Sequence, residues 1–129
     1  MKFAALGRTR WMRDAVRQAV ARGHVCRLIA TCKAAPEYDV TEDDFRKLAG
    51  ELGAQFFQGA DLTSAAAKAL LSGSGAEAAI SVNWLTLVPE HVRQIFPSGV
   101  WNAHAGDLPR YRGNACPNWA IIAGEPPYP

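Results

Sequence analysis

Short apolar runs alternate with helix-period segments from the first residues of this chain. Phe3-Ala4-Ala5-Leu6, closed by Gly7, has the length and continuity of a buried strand. Thr9 is placed to cap a helix over roughly 10–22, whose apolar positions Trp11, Met12, Ala15, Val16, Ala19 and Val20 repeat at helical period, with Gly23 as its stop. Val25 to Thr31 is β-branched and apolar, a second strand, and Ala34 to Tyr38 reads as a loop. Thr41 followed by Asp44 resembles a capping box, and Phe45, Leu48 and Leu52 share one face of the helix it opens. Gly53 ends that helix, and Gln55-Phe56-Phe57 is a short third strand. A helix from about Thr63 to Leu71 leads through Gly73-Ser74-Gly75 into a fourth strand, 78–82. Pro89 suits the first turn of a helix carrying Val92, Ile95 and Phe96. Gly99 releases a fifth strand, 100–104, and a last helix starts near Pro117.

Strands alternating with helices predict an α/β fold, a Rossmann-like parallel sheet with crossover helices. Ligands of such sheets bind beyond the carboxyl ends of the strands. The first strand-to-helix turn holds GRTRW rather than GxGxxG, and there is no P-loop, which disfavours a dinucleotide or a conventionally held NTP. The Gly73-Ser74-Gly75 stretch precedes a strand and reads as a turn.

Composition changes this picture little. The 129 residues suit one domain, and 49% apolar with 20% charged residues is ordinary for a globular chain. A net charge of +2 is too weak to argue for nucleic acid or membrane. The Arg8, Arg10, Arg13 and Arg17 cluster reads as a solvated helix face. Cys26, Cys32 and Cys116 are odd in number and lack CxxC spacing, which fits a reducing compartment rather than a disulfide framework or zinc site. The N-terminal apolar run is too short for a signal peptide, and no stretch reaches membrane-span length, so the expectation is a cytoplasmic protein.

The densest polar chemistry lies at 101–113, WNAHAGDLPRYRG. Side chains alternate along a strand, so Asn102 and His104 share a side, their alpha carbons roughly 6.5–7 Å apart. At a strand mouth the pair suits acyl transfer: an amide NH2 stabilises an oxyanion, and an imidazole moves protons near neutrality. On the residues alone, a structural role for both stays open. His24, at a helix-to-strand turn, and His91, in a first helical turn, have no partner at metal-ligand spacing.

Asn102-Ala103-His104, Leu108-Pro109, Tyr111-Arg112-Gly113 and the helix start at Pro117-Asn118-Trp119 together resemble the signature of the folate-dependent formyltransferases, N-x-H-x-S-L-L-P followed by an aromatic, a basic residue and a glycine. Val88-Pro89-Glu90 and the Gly99 before the fifth strand fit as well. That family includes methionyl-tRNA, phosphoribosylglycinamide and sugar N-formyltransferases. The resemblance follows the strand–helix succession throughout, but its specific motifs lie within 80–124.

The resemblance implies a formyltransferase N-terminal catalytic domain over 1–129, incomplete at its C-terminal side. It implies a primary amine attacking the formyl carbon of 10-formyltetrahydrofolate, with no metal. Asn102 would hold the oxyanion, His104 would assist it and the proton transfer, and an Asp several tens of positions further on would orient the His. Leu87 and Val88 fall where the family shapes its pterin pocket, unless they are ordinary core. Gly7, Arg8 and Thr9 fall where relatives bind an acceptor phosphate, a role suited to a helix N-terminus. Arg110 and Arg112 are candidates for an anionic acceptor or the folate glutamate tail. Two positions depart from the signature: Gly106 replaces its Ser, which reads as added backbone freedom, and Asp107 replaces a Leu, which reads as a loop acid or as a group that helps bind the acceptor. Trp84, Trp101 and Trp119 read as packing. The acceptor expected is an amino-sugar nucleotide, with methionyl-tRNA as the other choice. The alternatives are a 10-formyltetrahydrofolate hydrolase and an inactive fragment or folate-binding module.

Overall fold

The computed structural model describes residues 1–113 and 115–126. Five strands, β1 (Lys2–Gly7), β2 (Val25–Thr31), β3 (Gln55–Gln58), β4 (Ala78–Val82) and β5 (Val100–Ala103), form one parallel sheet in the order β3-β2-β1-β4-β5. Helices α1 (Arg10–Ala21), α2 (Glu42–Leu52), α3 (Ala65–Gly73), α4 (Glu90–Arg93) and α5 (Cys116–Ile122) alternate with the strands. The expected Rossmann-like α/β sheet is present, with its strand order reversing between β1 and β4.

The central strand explains the continuous apolar runs. Phe3 and Ala5 face one core with Met12 and Val16 of α1 and Phe45 and Leu48 of α2. Ala4 and Leu6 face the other, with Ala67 and Leu71 of α3 and Val92 of α4. A strand covered on both faces has no polar alternation to show.

Local chemistry sets the helix ends. Asp44 accepts from the Thr41 backbone N–H at 2.7 Å and from its hydroxyl at 3.1 Å, the return half of the expected capping box. Gly53 closes α2 in the left-handed region, at φ 63°. Two expectations fail. Thr9 stands at the N-cap of α1, yet its side chain makes no capping bond. Trp11 and Ala15 belong to the solvent face of α1, and Trp11 is 68% exposed, because the buried stripe narrows to Met12 and Val16.

Candidate active site

The pairing registers align the site. Leu6, Ser81 and Asn102 form one row across β1, β4 and β5, and Gly7, Val82 and Ala103 the next. With strands about 4.8 Å apart, the ends of β1 and β5 lie roughly 10 Å from each other. A groove of about 780 Å³ opens there, at the reversal of strand order, where open α/β sheets take ligands. It is lined by Arg8 after β1, by the 83–88 segment after β4, and by Asn102 and His104 at the mouth of β5.

The sequence candidates separate cleanly. Asn102, His104, Arg8, Leu87 and Val88 come together around this groove. Among the described residues the Asn102 amide has no hydrogen-bond partner, so its donors are uncommitted. Leu87 is 93% exposed, a lip of the groove rather than core. The Val88 carbonyl is taken by Arg93, which donates to it at 2.8 Å. Gly7 and Thr9 are buried and do not line the groove. Gly7 is there for space: a Cβ would meet the Val82 carbonyl oxygen and lie 2.6 Å from Met12 Cγ. Arg112 is exposed and stands outside the groove.

Arg8 is held from two sides. It donates to the Lys33 carbonyl at 3.2 Å, and its guanidinium lies 5.3 Å from the Tyr38 ring centroid. Its Nε and the Thr9 Oγ1 are buried with no hydrogen-bond partner among the described residues. Orphaned donors beside the head of a twelve-residue helix suit an anionic group.

His104 Nε2 lies 2.6 Å from the Tyr111 carbonyl oxygen. Gly106 sits beneath this contact. A Cβ there would collide with that same oxygen and would lie 2.8 Å from Cys116 Cβ and 2.9 Å from His104 Nε2. Gly106 is thus required by close approach, not by the backbone freedom its sequence position suggested. The packing expected of Trp101 and Trp119 is also corrected: they are 54% and 60% exposed. Trp11 lines the groove, a position its helical spacing had assigned to the core.

Comparison with known proteins decides the family. The sequence profile described as formyl transferase matches residues 1–127. The chain belongs to the formyl transferase family. A methionyl-tRNA formyltransferase from Afipia carboxidovorans is 30% identical over 115 residues, covering 85% of this chain and 36% of that protein. One from Sorangium cellulosum is 36% identical over 75 residues, covering 58% of this chain and 24% of that protein. The chain thus spans about a third or less of the length of these curated relatives. Phosphoribosylglycinamide formyltransferase from Bacillus halodurans shares the fold, with a TM-score of 0.70 at 16% identity, covering 95% of this chain and 66% of that one. Glycinamide ribonucleotide transformylase 1 from Geobacillus kaustophilus gives 0.68 at 17% identity, covering 95% and 67%.

Proposed function

We propose that this chain is the N-terminal catalytic part of an enzyme that transfers a formyl group from 10-formyltetrahydrofolate to a primary amine. The observation that supports it is the meeting of Asn102 and His104 with Arg8 around one groove in a formyl transferase family member. The amine nitrogen forms a bond to the formyl carbon, and the bond from that carbon to the folate nitrogen breaks. Asn102 donates its amide N–H to the oxygen as it gains negative charge. His104 carries the proton lost by the amine to the departing folate nitrogen, so atoms and charge balance. Leu87 and Val88 form the side of the groove that takes the folate, and Arg8, with Gly7 and Thr9 shaping its turn, takes the anionic part of the acceptor. Arg112, outside the groove, is left at most the glutamate tail.

Methionyl-tRNA is the acceptor to test first, because the curated relatives described above carry that activity in their names. The amino-sugar nucleotide expected from the sequence finds no support among them. The test incubates the native protein and 10-formyltetrahydrofolate with methionyl-tRNA, glycinamide ribonucleotide or an amino-sugar nucleotide, and follows the formylated amine. Formate release without any amine would replace transfer by hydrolysis. Folate binding without turnover would leave only a binding module.

A further inference from the structure

The loop after β5 sets a backbone carbonyl against the His104 ring. A carbonyl oxygen only accepts hydrogen bonds, so the 2.6 Å contact with Tyr111 requires the proton of the neutral ring to sit on Nε2. Three contacts bracket the residue that supplies this oxygen. The Tyr111 backbone N–H donates to the Asp107 carbonyl at 2.8 Å. The Tyr111 hydroxyl donates to Glu125 Oε1 at 3.0 Å. Arg110 forms an ion pair with the same carboxylate and stacks 5.1 Å from the Tyr111 ring centroid. Glu125 is itself fixed, since its backbone N–H donates to the Ala120 carbonyl at 3.0 Å at the end of α5. Gly106 completes the device, because any side chain there would push the Tyr111 oxygen away from the imidazole. The serine of the family signature does not fit this arrangement.

We propose that the Tyr111 carbonyl, admitted by Gly106 and clamped through Glu125, is the positioning group for His104 and fixes its neutral ring as the Nε2–H tautomer, leaving Nδ1 as the ring's only proton acceptor. This rests on the proposed role of His104 only for its catalytic consequence: Nδ1 is then the atom that takes and returns the proton. Glu125 follows His104 in the chain by 21 residues. It acts on His104 through the loop rather than by touching it.

The tautomer is read without substrate, so the result stands apart from whether formyl transfer occurs. Imidazole carbon and nitrogen NMR shifts of the full chain are recorded above the ordinary histidine titration range, with His104 assigned by the signals lost in His104→Gln. The Nε2–H form is expected to dominate in the wild type. In Gly106→Ala and Gly106→Ser both tautomers are expected, and in Glu125→Ala a smaller shift in the same direction. A wild-type ring that is mainly Nδ1–H, or populations unchanged across all three variants, overturns the proposal. Should the Gly106 variants fail to fold by circular dichroism, Glu125→Ala decides it, because among the described residues that side chain bonds only Tyr111 and Arg110.

Discussion

Asn102 is the next-to-last residue of β5 and, among the described residues, its amide donors are uncommitted, which is the state a preorganised oxyanion donor requires. Asn102→Ala is expected to lower kcat by about a hundred- to a thousandfold with little change in KM; an equal loss in KM instead would make it a binding residue. Cys26 shows the opposite use of a polar atom. Burial in β2 pushes its thiol up to about 12, against a partial offset from hydrogen bonding with the Leu28 backbone. In the unfolded chain the thiol ionises near its ordinary 9.0. Below that pH both states keep the proton and stability is unaffected; above it the unfolded chain loses its proton first. Stability therefore falls as pH rises from 9 toward 12, by up to about 1.4 kcal/mol per pH unit. Denaturant melts of wild type and Cys26→Ala between about pH 8 and about pH 10.5 should show the difference between them shrinking with pH. A constant difference would mean the thiol is not protected by burial.

At the scale of elements, what could be read from the sequence depended on how local its cause is. The capping box of α2, Gly53 as its stop and the β2 and β4 runs are all written within a few residues, and each is found where expected. The fifth strand, expected over 100–104, ends at Ala103, so His104 stands just past it. Trp11 and Trp101 were misplaced because helical spacing and apolarity say that a residue can be buried, not that a neighbour covers it. Gly106 was misread for a related reason: its neighbours Tyr111 and Cys116 arrive through the loop, and no spacing rule names them. Arg8 and the 83–88 segment reach the groove only through strand order, which pairs β1 with β4 despite the 70 residues between their ends. Thr41 holds the Asp44 carboxyl below the usual carboxylate range, first through its backbone N–H and then its hydroxyl. Asp44→Ala should cost about 1 kcal/mol in denaturant melts at neutral pH. For Asp44 itself the contribution is present above the ordinary carboxylate pKa and is lost as pH falls through the lowered one, so the gap to the variant should close in acid.

At the scale of the whole sheet, the two edges formed by the described residues differ. At one end of the sheet β3 is short, and Arg46 of α2 lies over the Phe56 ring at 4.6 Å. At the other end, among the described residues, no strand pairs with the outer side of β5, and Trp101 is half exposed on it. Trp119, Ile121 and Ile122 of α5 are also open to solvent. An unpaired strand edge offers a row of N–H and C=O groups, and apolar side chains beside it remove the usual deterrents to pairing. The 129-residue polypeptide by itself is therefore expected to associate with its own copies through β5. Sedimentation velocity over a hundredfold concentration range should show the weight-average mass rising. Trp101→Lys places a charge on that edge without touching either core cluster, and should return the chain toward the monomer. A wild-type chain that stays monomeric throughout, or a lysine variant that associates equally well, would show that this edge is not where copies meet.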